Sequence, residues 1–222
     1  MVEIENMHGI YQSADLTIVA ATGNDAGAGL IHMDATVDDD ESETIGGQRF
    51  TLDTPEMRDV TEFSTWFTRG WTLQELLFSY RLLFMTPNRT YFNCQVGNWS
   101  EDFPLDSSID PKYYHNLVLV AGLKEGFNFS DSVSAFENYS SLVEKMSIRQ
   151  LAQDSDILKA CRGFYRGILI HSMGESISGL PTACFDYALA WHPDGALRRR
   201  GPSDTGLPFP TWSWAGFAGP IH

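Results

Sequence analysis

The stretch Arg69-Gly70-Trp71-Thr72-Leu73-Gln74-Glu75-Leu76 sets a cation, an indole, a hydroxyl and a carboxylate at the head of an apolar run. Two chemistries fit those residue types at that spacing. A fixed carboxylate beside an indole can stabilise positive charge as it develops on a substrate. The same residues can instead do no more than start a helix. With Thr72 as N-cap, Glu75 falls at the third helical position, and Thr-x-x-Glu is a capping box in which each side chain satisfies the other's backbone N–H. Trp71 then precedes the cap and packs on Leu76 as a hydrophobic staple. Gly70 gives the entering chain conformational freedom, and Leu73, Leu76, Leu77 and Tyr80 make the buried stripe. Such a cap contributes on the order of 1 kcal/mol. It accounts for every residue except Arg69, and spacing alone leaves both readings open.

Other reactive side chains are dispersed. Cys94, Cys161 and Cys184 are odd in number and form no C-x-x-C pair, which argues against a zinc site or a disulfide framework and for a reducing compartment. His8, His32, His115, His171, His192 and His222 are scattered, and no G-x-S-x-G, H-E-x-x-H or paired-carboxylate motif stands out. The glycine-rich Thr22–Leu30 lacks the spacing and the Lys of a P-loop and reads as a turn. The acidic residues between 34 and 43 lack the EF-hand pattern and read as a solvated loop. Arg198-Arg199-Arg200 is the single basic cluster and also reads as a solvated loop. No metal or bound cofactor is expected.

The elements around the motif follow from hydrophobic period. Ile4, Met7, His8, Ile10 and Tyr11 fit the end of an amphipathic helix. Asp15–Ala21 is a short β-branched run that suits a parallel strand covered on both faces. Arg81–Met85 and Arg89–Cys94 read as two strands about a Thr86-Pro87-Asn88 turn. Residues 98–112 suit a linker. Beyond it the period is helical, with one stripe from Phe136, Tyr139, Leu142, Val143 and Met146 and another from Ile157, Leu158, Cys161, Phe164, Tyr165, Ile168 and Leu169. A third short helix is expected from Pro181 through Phe185, Leu189 and Trp191. Phe209–Phe217 alternates large and small residues like a strand.

Composition bounds the rest. The chain has 222 residues, 43% of them hydrophobic, and a formal net charge of −14. That is enough apolar material for a folded core. The negative charge excludes general nucleic-acid binding, which needs clustered Lys and Arg. The acidic start, Met1 to Asn6, is no signal peptide, and no apolar run reaches the roughly 18 residues of a membrane span. A cytoplasmic protein is the expectation, and the sequons at Asn88, Asn98, Asn128 and Asn138 read as chance.

Ile10-Tyr11-Gln12-Ser13-Ala14-Asp15-Leu16-Thr17-Ile18-Val19-Ala20-Ala21 resembles a segment of the fungal heterokaryon-incompatibility (HET) domain, and Gly27-Ala28-Gly29-Leu30 the "AGL" that follows it. Arg69 to Glu75 matches that family's "RGWTLQE" residue for residue. Arg81–Phe84 and Tyr91–Cys94 are similar to its closing strands. Gly179-Leu180-Pro181 and Pro210–Gly216 are similar to its downstream "GLP" and "PSWSWAG". The two strands with which such domains usually begin have no counterpart, so the chain resembles the C-terminal half of the domain plus its extension.

The resemblance implies an α/β fold: a partial TIR-like, flavodoxin-like sheet unit, then a mainly helical extension with a C-terminal strand. It divides the chain into 1–97, the half domain; 98–112, a linker; and 113–222, the extension. It implies a role in non-self recognition and programmed cell death. Because plant TIR domains carry a similar "WCLDEL" whose Glu serves in cleavage of NAD, Glu75 is the catalytic candidate. Trp71 and Arg69 are candidates for lining the substrate site, with NAD as substrate in a domain that has its upstream half. A non-catalytic adaptor and a truncated, inactive relic are the alternatives. Self-association or other incompatibility proteins are the expected partners, with no nucleic acid and no membrane.

Overall fold

A computed structural model of the chain describes residues 6–21, 42–51, 64–86, 89–94, 97–100, 132–203 and 205–222, together with Gly23, Gly27, Gly29 and Leu30. The linker beyond residue 100, most of the acidic stretch and the sequons at Asn88 and Asn128 lie outside these residues.

The amphipathic start folds as helix α1, Met7–Ser13, and the β-branched run as strand β1, Thr17–Ala20. A hairpin not foreseen from the sequence follows, β2 (Ser42–Ile45) against β3 (Gln48–Thr51). Its two-residue turn is Gly46-Gly47, with φ of 62° and 83°. Positive φ at both central residues is what a tight hairpin requires, and glycine adopts it without steric cost. Helix α2 (Thr65–Thr68) is capped by Ser64, whose hydroxyl accepts from the N–H of Phe67 at 3.1 Å. Helix α3, Thr72–Phe78, comes next. Strands β4 (Arg81–Met85), β5 (Thr90–Cys94) and β6 (Gly97–Ser100) complete the first half.

One sheet joins β1, β4, β5 and β6 in that order. β1 runs parallel to β4 with Thr17 opposite Leu82, and the other pairs are antiparallel. The expected β4–β5 turn is present: Thr86 N–H and hydroxyl both donate to the Arg89 carbonyl. β1 is parallel, as its composition suggested, but it is not covered on both faces. Thr17 and Val19 point inward, while Ile18 is 53% and Leu16 42% exposed. The reason is its place at the end of the strand order, with β4 as its one partner among the described residues.

The second half is helical, as its period indicates. α4 spans Ser132–Ser147 and buries Tyr139, Leu142, Val143 and Met146. α5, Ile157–Phe164, continues through a π turn at Tyr165–Leu169 into α6, Ile170–Met173. A short hairpin pairs β7 (Ser176–Ile177) with β8 (Leu180–Pro181).

The third helix is shorter than expected. A 3-10 turn at Thr182–Cys184 leads into α7, Phe185–Ala188, and Leu189 already lies outside it. The aromatic C-terminal stretch is mostly not a strand. Ser213 accepts from the Ala215 N–H at 3.0 Å and caps a 3-10 turn, Trp214–Gly216. Only β10, Phe217–Ala218, pairs, and its partner is β9, Arg198–Arg199.

That partner strand also corrects the reading of the arginine run as a solvated loop. Arg198 places two nitrogens on the Asp154 carboxylate at 2.8 Å each. The Arg199 guanidinium donates to the Phe209 carbonyl and lies over the Phe217 ring. Arg200, 5% exposed, donates to the Phe217 carbonyl at 2.9 Å and to Asp154 at 3.4 Å. One acidic residue therefore gathers a basic run that composition alone assigned to solvent.

Two apolar clusters result. The smaller lies on the sheet and holds Val19, Ala21, Trp66, Leu76, Leu82, Phe84 and Tyr91. The larger spans α4 to the C-terminal segment and includes Leu73, Leu77 and Phe78. α3 thus serves both: Leu76 faces the sheet, and Leu73, Leu77 and Phe78 face the helices. Tyr80, expected in the same stripe, is 47% exposed because the helix has ended at Phe78.

Candidate functional site

α3 begins at Thr72, and Trp71 at its N-terminal flank is itself in the right-handed helical region. The capping box anticipated between Thr72 and Glu75 does not form, because both side chains have other partners. The Thr72 hydroxyl donates to the carbonyls of Trp66 (2.6 Å) and Arg69 (2.8 Å). It accepts from Arg149 Nη1 at 3.2 Å, and the same nitrogen donates to the Arg69 carbonyl at 3.0 Å. Burial draws the Arg149 guanidinium down to about 10, so it is still charged at neutral pH. Its plane also lies 4.4 Å from the Phe67 ring centroid.

Glu75, freed from the cap, points to an indole. Trp66 Nε1 donates to Glu75 Oε2 at 2.9 Å. Trp66 is 7% exposed and is fixed edge-on against Phe84 of β4, with centroids 5.7 Å apart. The phenol of Tyr11, on α1, lies close enough to Glu75 to feel its charge. Burial first, and then the negative charge of Glu75, push that phenol well above its ordinary value. α1 packs on α3 and α5, with His8 on Phe78 at 5.8 Å between ring centroids. Three elements therefore aim one half-buried carboxylate. A carboxylate offers about four acceptor sites, so the Trp66 N–H orients it and leaves lone pairs for a further group.

The remaining motif residues form a joint. Gly70 is not needed for its φ. A Cβ there would come within 2.5 Å of Leu151, and the Gly70 N–H donates to the Gln150 carbonyl at 2.7 Å. Gln74 is fully buried and donates from Nε2 to the Ala160 carbonyl at 2.8 Å. Opposite it stands Gly163, where any Cβ would overlap the Gln74 carboxamide. Of the predicted site residues, Glu75 is thus held by Trp66, with Tyr11 beside it. Trp71 is half-buried against the larger cluster. The Arg69 side chain is exposed while its carbonyl takes the Thr72 and Arg149 bonds.

Sequence reasoning missed Trp66, Tyr11 and Arg149 as partners of this corner. Tyr11 stood in the quoted Ile10-Tyr11 segment but was read only as one face of a helix. Among the described residues no group of His, Cys, Asp and Glu could hold a metal ion, and no helix is long and apolar enough to cross a membrane. All three cysteines are free, and burial pushes the Cys161 thiol far up.

The family model described as heterokaryon incompatibility protein (HET) matches residues 1–75, a stretch that ends on the carboxylate at the centre of this corner. Those residues carry the family's signature, as the motif indicated, and support a heterokaryon-incompatibility-type function in general. No curated protein and no solved structure gives a significant match to the chain.

Proposed function

We propose that the chain is a heterokaryon-incompatibility module of non-self recognition and cell death in the cytoplasm, and that in a domain with its upstream half the chemistry is NAD cleavage with Glu75 as the catalytic residue. The observation that carries this is the half-buried Glu75 carboxylate held by Trp66 Nε1 at 2.9 Å. Breaking the nicotinamide–ribose bond builds positive charge on the ribose. A preorganised carboxylate stabilises that charge or orients the ribose hydroxyls. Nicotinamide leaves neutral, so no general acid is required. The TIR-like resemblance supports the same assignment, with Trp71 and Arg69 toward the substrate.

The test is chromatographic measurement of NAD loss by the chain joined to an upstream half and by the same protein with Glu75→Gln, with near-ultraviolet circular dichroism to check the fold. Gln keeps one acceptor oxygen for the Trp66 N–H, so the fold should persist while turnover falls at least a hundredfold. Equal NAD loss by both proteins sinks the catalytic role.

A second reading, an adaptor acting by association, is favoured by β1, which among the described residues has β4 as its one partner and exposes Ile18, with Leu16 exposed just before it. Unpaired apolar strand edges invite pairing with another chain. It takes over if neither protein consumes NAD and both provoke the same cellular response.

A further inference from the structure

A groove of about 230 Å³ lies between one face of α4 and the chain from α7 to Trp191, and Glu75 has no part in it. Phe136, Ser140 and Glu144 recur at every fourth position of α4, so they form one row along the helix. At 1.5 Å per residue the row is about 12 Å long. At its start the rings of Phe136 and Tyr187 meet with centroids 6.2 Å apart and planes tilted by 58°. Trp191 also lines the groove, its ring fixed by the Nε1 bond to the Trp212 carbonyl at 2.8 Å. Val143 and Ile221 are buried and close the base. The far end of the row is the Glu144 carboxylate.

These side chains present surface. Tyr187 is 73% and the Glu144 side chain 36% exposed, and Phe136, Ser140 and Trp191 are half-buried. The polar end also has capacity to spare. His222 Nδ1 lies 2.7 Å from Glu144 Oε1, and among the described residues nothing bonds Oε2. His222 is itself exposed, so it orients the carboxylate without covering it. The nearest cation along α4, Lys145, donates to the Ser141 hydroxyl at 2.8 Å and not to Glu144. One turn before Glu144, the Ser140 hydroxyl brings two lone pairs of its own. What the groove offers at this end is therefore negative charge and acceptors, and the group that complements them is a charged donor.

We infer that this groove is a binding site for a small amphiphilic amine, a primary ammonium at one end of an apolar body. The ammonium would donate to Glu144 Oε2 and the Ser140 hydroxyl, and the body would run along α4 to the corner made by Phe136 and Tyr187, with Trp191 beside it. Drug-sized ligands fill roughly 300–1,000 Å³, so 230 Å³ takes something smaller, on the order of a dozen heavy atoms. The row sets the length as well, because a molecule much shorter than about 10 Å cannot reach both ends. A net charge of −14 draws cations toward the chain and repels anions, in the same sense as the carboxylate. The site is independent of Glu75.

The experiment is a nuclear magnetic resonance titration of the full chain with 4-phenylbutylamine, 4-phenylbutanol, 4-phenylbutanoate and benzylamine. The long amine should bind with a Kd of about 1 mM or below, the range open to about a dozen heavy atoms. The alcohol of the same shape should bind about tenfold more weakly, and the acid not measurably. Benzylamine, which spans half the row, should also lose about tenfold. Intermolecular Overhauser effects should run from the phenyl ring to Phe136 and Tyr187. In Glu144→Gln the preference for amine over alcohol should vanish. In Tyr187→Ala, a change at an exposed ring, both ligands should weaken severalfold and the preference should remain. Absence of amine binding, equal binding of amine and alcohol, contacts to other residues, or a preference that survives Glu144→Gln would each overturn the assignment. The amine–alcohol comparison on the wild-type chain decides it even if a variant fails to fold.

Discussion

A hydrogen bond of 2.9 Å from Trp66 decides which way Glu75 faces, and with it what the family motif is for. Had Glu75 turned back to the Thr72 N–H, it would have been consumed by its own helix. Thr72 prevents this by spending its hydroxyl on the Trp66 and Arg69 carbonyls, with Arg149 bracing it from a distant part of the chain. The carboxylate was legible in the sequence, because a Glu following Trp and Thr at that spacing asks for a role. Its partners were not, because Tyr11 and Trp66 reach it through the packing of α1 and α2, which no local pattern encodes. Tyr11→Phe removes the hydroxyl beside Glu75 and little packing. In the NAD assay kcat should drop about tenfold with KM little changed, the usual scale for a group that orients a catalytic one. A kcat equal to wild type would take Tyr11 out of the site.

At the scale of elements, α3 is seven residues long, too short to be stable alone. It persists because Leu76 is buried on the sheet while Leu73, Leu77 and Phe78 are buried on the helices. Gln74 fastens it to α5 at the one place where Gly163 leaves room. Gly163→Ala should therefore destabilise the fold by about 2 kcal/mol through overpacking, read from urea unfolding. Gln74→Ala removes the obstructing carboxamide, so the double variant should recover at least about half of that loss in a double-mutant cycle. Strict additivity would show that the two positions are not in contact.

Element existence was largely readable here: the β4–β5 hairpin and the apolar stripes of α4 and α5 fall where periodicity puts them. Element ends were not. Tyr80 leaves the stripe because α3 stops at Phe78, and the large–small alternation around Trp214 is produced by a Ser213-capped turn, not by an extended chain. The period-2 signal records which side chains are buried, and a tight turn can bury alternate residues as a strand does.

For the molecule as a whole, Asp154 is the fastening of the C-terminal segment. It receives Arg198, Arg200 and the Gly201 N–H. Chiefly the bonded Arg198, with the Gly201 N–H and the nearby charges, holds its carboxyl far below the usual value, against the opposing effect of burial. A carboxyl held low in the folded state stabilises the fold above its unfolded value, near 4, and that contribution is lost as pH falls through the folded value. Asp154→Asn also leaves the buried Arg200 guanidinium without its carboxylate. The variant should be about 2 kcal/mol less stable at pH 7. The gap to wild type should narrow steadily below about pH 4, and urea titrations across that range check it. Sequence counting could not reveal this fastening, since 44 to 47 positions separate the partners.

α3 has a consequence for how such a chain can be inherited. Its sheet-facing leucine and its helix-facing leucines lie on one short element, and its glutamine is keyed to a glycine 89 positions away, from Gln74 to Gly163. Recombination between related genes can cut anywhere in the nucleotide sequence. A crossover that exchanges the sheet half alone delivers a helix whose other side was shaped for a different lineage. The segment around residues 146–163 must travel with the motif or match it on arrival, so the heritable unit is the joint and not either half.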